Sequence, residues 1–272
     1  MESSCSEWGT YTHGYSSAVI GGHSRRTALN SASTLLGLLR PGMSLLDVGS
    51  GAGTITCDLA AAVAPGTVVA LEVTDEAAEL TRRTARERGI DNIQILVGDA
   101  HHMQFSDNFF DAVHAHQVLQ HVSDPVQMLR EMWRVTAPGG VVAARDADYP
   151  TFGWFPRLPE LDRWLELYMR AAHANGGHPD AGVRLKLWAE QAGLKNIQAG
   201  AAIWSFSQQA DLEWWSESWA ERISHTQLAE QIVREGWATQ DQLDNIAAGW
   251  RRWATEPGAY FTVPHGELIA RK

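Results

Sequence analysis

The sequence predicts an α/β fold in which helices cover both faces of a mainly parallel sheet of seven strands. Three observations support this prediction. Short apolar runs of strand length recur along the chain, stretches with helical spacing separate them, and a glycine-rich turn follows the first run. Strands that alternate with helices are typical of βαβ units, which build parallel sheets.

The first predicted element is a helix near the amino terminus. Residues 27–39 have apolar side chains at helical spacing, and a Pro-Gly pair that ends a helix follows them. Further along the chain, the charged segment Asp75–Arg88 is predicted to be a helix with a solvated face. Another helix is predicted to start at Asp124, which caps it, with Pro125 in its first turn.

The first strand and the turn after it carry the main functional signal. Leu45–Val48 is an apolar run, and Gly49, Gly51 and Gly53 follow it at alternate positions. Glycines allow positive φ and a close approach of the backbone to a ligand. Their spacing matches neither the dinucleotide fingerprint nor the phosphate loop. Asp47 would repel a pyrophosphate but could orient a cationic amino group. These residues indicate a nucleoside that carries an amino acid, and a turn that binds no ligand is the alternative.

The later strands add acidic residues at informative places. Val68–Val73 is the second predicted strand, and Glu72 stands about 20 positions beyond the glycines, where a carboxylate can accept both hydroxyls of a ribose. Asp99, on the third predicted strand Ile93–Ala100, is placed to accept a hydrogen bond from an adenine amino group. The remaining predicted strands are Phe110–His116, Gly139–Asp146, Ile197–Phe206 and Tyr260–Ala270.

At these residues, over roughly 43–148, the chain resembles class I S-adenosylmethionine-dependent methyltransferases of the ubiquinone and menaquinone biosynthesis type. The resemblance implies a Rossmann-like fold, S-adenosyl-L-methionine as cofactor and S-adenosyl-L-homocysteine as product. It also implies that an N-terminal segment, residues 1–42, covers the methionine end of the cofactor. The candidate cofactor-binding residues are Tyr15, Arg26, Asp47, Gly49, Ser50, Gly51, Glu72, Val73, Asp99, Ala100, His116 and Gln117.

We interpret residues 1–272 as one methyltransferase domain with a cofactor-binding core at 43–148 and a closing strand at 257–272. Two insertions, residues 149–178 and 207–256, are predicted to form a helical lid, because ligands of open α/β sheets bind beyond the carboxyl ends of the strands. The tryptophans of the lid either line an apolar substrate pocket or pack the lid onto the core. The candidate substrate-binding residues are Tyr11, Asp148, Tyr149, Phe152 and Trp154, the last two because loop aromatics have less core to serve.

Candidate catalytic groups follow from the chemistry of methyl transfer, which requires a positioned nucleophile, exclusion of water and sometimes removal of a proton. His116 and His121 are candidate bases, because imidazole titrates near neutral pH. A thiol acceptor, with a pKa of about 8.5, can dispense with a base altogether. His114 and His116 point to the same side of a strand, yet no metal is expected, because no third ligand has a recognisable spacing.

The segments His114–His121 and Arg145–Tyr149, together with the tryptophan-rich insertion, resemble a fungal and bacterial group of the gliotoxin bis-thiomethyltransferase type. This resemblance implies S-methylation of a small, rather apolar thiol or dithiol of secondary metabolism. O- or C-methylation of a quinone-like or phenolic molecule is the alternative. A non-catalytic cofactor-binding partner and a nicotinamide-dependent oxidoreductase also stay open, although the glycine spacing is unlike that of a dinucleotide site.

Composition limits the partners. The net charge of −10 argues against a nucleic-acid substrate, since phosphate binding requires a basic surface. Two cysteines exclude a disulfide framework, and free thiols suit a reducing compartment. The first nine residues lack the features of a secretory signal, and no apolar run reaches the roughly 18 residues of a membrane span. We therefore expect a cytoplasmic protein with a small-molecule substrate and neither nucleic acid nor membrane as partner.

Overall fold

The computed structural model describes residues 25–272. The predictions for Tyr11 and Tyr15 therefore fall outside the described residues, as does most of the segment 1–42 predicted to cover the cofactor.

The described strands form one central sheet. They are β1 (Leu45–Val48), β2 (Val68–Glu72), β3 (Ile93–Val97), β4 (Phe110–His116), β5 (Thr136–Ala147), β6 (Gly153–Phe155), β7 (Ile197–Phe206) and β8 (Tyr260–Arg271). The strand order is β3-β2-β1-β4-β5-β8-β6, and β7 also pairs with β8. Neighbours from β3 to β5 are parallel, whereas β8 runs antiparallel to β5, β6 and β7. The predicted mixed, mainly parallel α/β sheet is confirmed.

Ten α-helices lie within residues 25–272. They are α1 (Ala28–Ser31), α2 (Ser33–Leu36), α3 (Thr54–Val63), α4 (Asp75–Arg88), α5 (Pro125–Val135), α6 (Pro159–Ala174), α7 (Ala181–Gln191), α8 (Gln209–His225), α9 (Gln227–Arg234) and α10 (Gln240–Trp253). The predicted start of α5 is confirmed, because the Asp124 side chain accepts a 2.8 Å hydrogen bond from the backbone nitrogen of Gln127.

The helix predicted at residues 27–39 is interrupted. Ala32 has φ −143° and ψ 28°, which separates α1 from α2. The carbonyl oxygen of Asn30 instead accepts side-chain hydrogen bonds from Arg145 at 2.7 Å and from Trp204 at 2.8 Å. A carbonyl bound in this way cannot serve an intrahelical bond as well, so tertiary contacts override the local helical pattern.

Two hydrophobic clusters fill the space between the sheet and its helices. On one face, α1 to α3 pack against the sheet through buried side chains such as Leu35 and Leu59. On the other face, α5 and α7 pack through Leu129 and Leu185. Because β1, β2, β4 and β5 are parallel, their carboxyl ends meet at one edge of the sheet, and the candidate site lies there.

A third cluster joins both predicted insertions into one helical body, which we call the tryptophan body. It contains α6 and α8 to α10. Inside it the Trp164 ring lies 4.5 Å from Trp219 and 4.8 Å from Trp250, in edge-to-face contacts. Such offset and edge contacts between buried aromatic rings add to the stabilisation from burial itself.

The expectation that Phe152 and Trp154 have less core to serve than the helical aromatics is wrong. Both rings are buried, and Trp154 stacks on Phe261 at 5.8 Å while Phe152 meets the same ring edge-on at 5.9 Å. The cause is β6, an eighth strand within the predicted loop, whose pairing with β8 turns these residues into the tryptophan body. A Cβ at Gly153 would lie 2.8 Å from the Thr262 hydroxyl, so a larger residue there would displace this side chain.

No α-helix within residues 25–272 combines the length and the apolar character that crossing a membrane requires.

Candidate active site

The glycine turn is a tightly packed junction at the carboxyl end of β1. Gly49, Gly51 and Gly53 have φ values of +74°, +55° and +76°, which side chains rarely tolerate. A Cβ on Gly49 would collide with Val118, in the loop after β4, and one on Gly53 would lie 2.8 Å from the Cα of Thr81. The turn is therefore held between that loop and α4.

Glu72 lies directly against this turn. Its Oε1 accepts a hydrogen bond from the backbone nitrogen of Gly51 and lies 3.4 Å from the Ser50 hydroxyl. Its Oε2 lies 3.3 Å from the backbone nitrogen of Val73. Burial raises the pKa of Glu72 above its ordinary value, against the opposing effect of the backbone hydrogen bonds. The structure thus brings together Ser50, Gly51 and Glu72, which are all candidate cofactor-binding residues.

Asp47 is engaged by the protein on both carboxylate oxygens. Its Oδ1 is 2.7 Å from Nδ1 of His114, and its Oδ2 accepts a 2.6 Å hydrogen bond from the Thr56 hydroxyl. These contacts tie β1 to β4 and α3 beneath the glycine turn. An orienting role for Asp47 toward a ligand amino group stays a prediction, which the second lone pair of each oxygen permits.

Asp99 and two valines form the far side of the site. Hydrogen bonds from the backbone of His101 and from both imidazoles of His101 and His102 outweigh the desolvation that raises the pKa of Asp99, so its pKa is lowered. Val73 and Val97, at the carboxyl ends of β2 and β3, are 54% and 45% exposed. Ala100, predicted nearby, is half-buried against the core.

Arg26, Gln117 and His265 form a hydrogen-bonded chain. Arg26 donates from Nη2 to Oε1 of Gln117 at 2.8 Å, and Nε2 of Gln117 lies 2.8 Å from Nε2 of His265. Because the amide oxygen accepts from the guanidinium, the amide nitrogen faces the imidazole. Nε2 of His265 is then the acceptor from this amide, and Nη2 of Arg145 lies 3.4 Å from Nδ1 of the same ring. Burial, with the charges of Arg145 and Arg26, lowers the pKa of His265 well below its ordinary value.

Gln117 also has an unusual backbone conformation. Its φ is +54°, a left-handed conformation that is uncommon outside glycine and is found at functional sites when the surroundings enforce it. A 2.7 Å hydrogen bond from its backbone nitrogen to the carbonyl of Arg145 helps to hold it.

His116, at the end of β4, is the polar group with the least satisfied environment. Both ring nitrogens are buried, and neither finds a hydrogen-bond partner among residues 25–272. Its ring lies 5.6 Å from Trp204 and 6.1 Å from His265. Burial, followed by the charge of Arg26, lowers the pKa of His116 well below its ordinary value. The imidazole is neutral and offers one N–H and one lone pair.

His121, the other predicted base, is a weak one. Burial and the nearby charge of Arg26 lower the pKa of His121 to about 3. Its Nε2 also lies 2.9 Å from Nε2 of Gln120, so the lone pair is in use. The environment of His121 does not favour proton abstraction, because a weaker base is a less efficient general base.

Three side chains of this region were not among the predicted site residues. They are Arg145, Trp204 and His265. The guanidinium groups of Arg26 and Arg145 lie 5.6 and 5.2 Å from the centre of the Trp204 ring, and the ring of His265 lies 4.4 Å from it. Arg145 interrupts the apolar run of a buried strand, which is the signal that sequence analysis could have used. The six residues Arg26, His116, Gln117, Arg145, Trp204 and His265 are called the imidazole cluster below.

The predicted substrate residues divide into two groups. Asp148 and Tyr149 are buried at the end of β5, and Tyr149 joins the tryptophan body, where it stacks on Tyr168 at 4.2 Å. Phe152 and Trp154 lie inside the tryptophan body, as described above. Across residues 25–272, no three His, Cys, Asp or Glu side chains are arranged to hold a metal ion.

A strand, glycine turn and helix, an acidic residue at the end of β2 and an antiparallel strand beside β5 define a Rossmann-like methyltransferase fold. Comparison with known proteins agrees with this class. The chain belongs to the methyltransferase domain family, whose model matches residues 39–218.

Relatives share both local and full-length similarity with the chain. An uncharacterized methyltransferase of Schizosaccharomyces pombe is 31% identical over 270 residues, which cover 96% of each chain. A ubiquinone/menaquinone biosynthesis C-methyltransferase of Idiomarina loihiensis is 31% identical over 174 residues, or 58% of this chain and 69% of that one.

Solved structures share the fold. A methyltransferase-fold protein from Bacillus halodurans has a TM-score of 0.61 at 20% identity, covering 88% of this chain and 97% of that one. A phosphoethanolamine N-methyltransferase of Haemonchus contortus, bound to S-adenosylhomocysteine, has a TM-score of 0.54 at 16% identity and covers 88% of this chain and 51% of that one. This protein is an S-adenosylmethionine-dependent methyltransferase.

Proposed function

We propose that this enzyme methylates the sulfur of a small, largely apolar thiol or dithiol. The observation that carries the proposal is the imidazole cluster, in which neutral and weakly basic imidazoles lie beside arginines and an aromatic wall. S-adenosylmethionine supplies the electrophilic methyl group, and the protein must hold both reactants and accommodate the acceptor's proton.

The residues at the carboxyl ends of β1 to β3 fit the cofactor. We assign Oε2 of Glu72, beside the glycine turn, to accept hydrogen bonds from the ribose hydroxyls. The exposed faces of Val73 and Val97 suit the adenine ring, and the ionised Asp99 suits its amino group.

The methionine end of the cofactor is assigned to Arg26 and Gln117. A guanidinium binds carboxylates through charge-assisted hydrogen bonds, and Gln117 already fixes this guanidinium at 2.8 Å. Residues 1–42 are proposed to cover this end, with Tyr15 as a further contact. The tryptophan body, built from residues 149–178 and 207–256, is proposed to close the acceptor side.

Basicity favours a thiol as acceptor. An alcohol requires a strong base for deprotonation, and the pKa values of His116 and His121 lie far below neutrality. A thiol ionises with a pKa of about 8.5 unaided. The positive field of Arg26 that lowers the pKa of both imidazoles would also lower the pKa of a bound thiol. The chamber can therefore work without a dedicated base.

The alternative is O- or C-methylation of a phenolic or quinone-like ring. The similarity to the ubiquinone/menaquinone C-methyltransferase favours it, and Trp204 offers a flat aromatic surface for such a ring. A phenol has a pKa of about 10, however, so the same positive field leaves a smaller fraction of it ionised than of a thiol.

Two measurements test the proposal. Calorimetric titration with S-adenosylhomocysteine should show binding that Glu72→Ala weakens by about 1–3 kcal/mol, since it unpairs hydrogen bonds at a buried carboxylate. Glu79→Ala, an exposed change on the outer side of α4, is the matched control and should bind as the wild type does.

The acceptor is then identified with matched pairs of thiols and phenols on the same carbon skeleton, including aromatic dithiols, and products are weighed by mass spectrometry. Preferential methylation of the thiols supports the proposal. Methylation of the phenols with the thiols untouched would overturn it in favour of the alternative.

A further inference from the structure

Asp146 is a buried carboxyl group that the proposed reaction does not use. It lies on β5, one residue beyond Arg145, and its side chain faces away from the imidazole cluster. It is fully buried, and its Oδ1 accepts a 3.0 Å hydrogen bond from the backbone nitrogen of Gln120. The backbone of Leu119 also donates to this carboxyl group.

Both donors belong to the turn that follows β4. This turn, residues 117–121, begins at the left-handed Gln117 and continues as a 3₁₀ turn over Leu119–His121. It is fastened to β5 at two points. The first is the 2.7 Å bond from the backbone of Gln117 to the carbonyl of Arg145, and the second is the carboxyl group of Asp146.

The same turn sets the direction of the groups around the acceptor. His116 ends the strand that leads into it, and Gln117 holds both Arg26 and His265 through its side chain. A shift of the turn would move these contacts together. Catalysis by positioning is sensitive to such shifts, since a displacement of about 1 Å can cost about 100-fold in rate.

We propose that Asp146 is a positioning residue, which holds the turn at 117–121 so that His116 and Gln117 face the acceptor. The proposal rests on the methyl transfer proposed above. Burial raises the pKa of Asp146 to about 8, so the side chain is a neutral acid at pH 7. An asparagine therefore reproduces its shape, its charge and its accepting oxygen.

The test compares Asp146→Asn with Asp146→Ala. Asp146→Asn should retain kcat close to that of the wild type. Asp146→Ala leaves two backbone donors without their acceptor and should lower kcat by about 100-fold. The affinity for S-adenosylhomocysteine should fall as well, because the turn also holds Gln117 and, through it, Arg26. Rescue by asparagine but not by alanine is the expected signature of positioning.

Asp111→Ala is the matched control. The Oδ2 atom of Asp111 accepts hydrogen bonds of 2.8 and 2.9 Å from the backbone and hydroxyl of Ser44, at the opposite end of β4. Its loss removes the same kind of bond far from the imidazole cluster. It should lower the melting temperature and leave kcat unchanged.

Hydrogen exchange at the amides of Leu119 and Gln120 gives a readout independent of activity. Exchange should accelerate in Asp146→Ala and stay slow in Asp146→Asn. Equal exchange in both variants, or a kcat for Asp146→Ala no lower than that of Asp111→Ala, would overturn the proposal. A wild type that binds S-adenosylhomocysteine but methylates no acceptor would instead count against the proposed function, and the exchange rates would still decide whether Asp146 holds the turn.

Discussion

Arg26 and Gln117 are joined by a 2.8 Å hydrogen bond although 91 positions separate them in the chain. Each was predicted from the sequence to serve the cofactor, and the contact places both at the carboxyl end of β4. The guanidinium is fixed from one side by the amide and from the other by the Trp204 ring. A cation oriented in this way is suited to bind a carboxylate.

Arg26→Ala should weaken binding of S-adenosylhomocysteine by about 1–3 kcal/mol, as expected for the loss of a hydrogen bond to a charged group. Arg25→Ala is the control, because Arg25 pairs with the exposed Asp211 and stacks on Trp214 in the tryptophan body. Isothermal titration of both variants measures the difference. Equal losses in the two variants would contradict a specific role for Arg26.

The same substitution should change the titration of the neighbouring imidazoles. The charge of Arg26 lowers the pKa of His116 and of His121, so its removal should raise both pKa values, although burial, the larger cause, still keeps them low. Nuclear magnetic resonance of labelled histidines measures this shift. Unchanged titration would show that Arg26 does not face these rings.

His116→Asn tests whether the imidazole acts as a base. A general base contributes about 10²- to 10⁴-fold to a rate. With a thiol acceptor we expect a loss of less than about tenfold, because the thiol ionises unaided. The kcat should rise with pH through the pKa of the bound thiol and show no limb near 6.5. A loss in the range of a general base, with a thiol acceptor, would assign the proton to His116.

Elements with a local sequence signal agree best with the structure. Strands β1 to β5 and the glycine turn are contiguous patterns, and positive φ at Gly49 follows from a turn that only glycine permits. Local patterns did not bring Trp204 and His265 together, because that contact depends on the pairing of β7 with β8 across the helical segment 207–259. Phe152 and Trp154 were misjudged for a related reason, since a three-residue strand carries too little pattern to be recognised.

The tryptophan body should dominate stability. Trp164 is fully buried among Trp219 and Trp250, and truncation of such a ring typically costs about 3–5 kcal/mol. Trp164→Ala should lower the free energy of unfolding by that amount, and Trp164→Phe by less. Urea denaturation measures both. Trp237→Ala, where the ring is only partly buried beneath Arg170, should cost less than Trp164→Ala, and a larger loss would contradict this view of the core.

Stability should fall with pH on account of Asp146. Burial raises its pKa from an ordinary value of 3.8 to about 8 in the folded protein, so between these values the folded state binds more protons than the unfolded chain. Stability then decreases as pH rises, and the loss is complete above about pH 8. His116 and His265 act in the opposite direction at lower pH, because their pKa values are lowered and stability from them increases up to their ordinary pKa.

Asp146→Asn removes only the first of these effects. Relative to the wild type, the variant should gain stability from pH 5 to about pH 8 and level off above it, while the histidine contributions cancel in the difference. Urea unfolding at intervals across this range measures the gain. A difference that does not depend on pH would mean that Asp146 is ionised in the folded protein. Asparagine would then not reproduce its charge, and the interpretation of Asp146 as a neutral acid would be wrong.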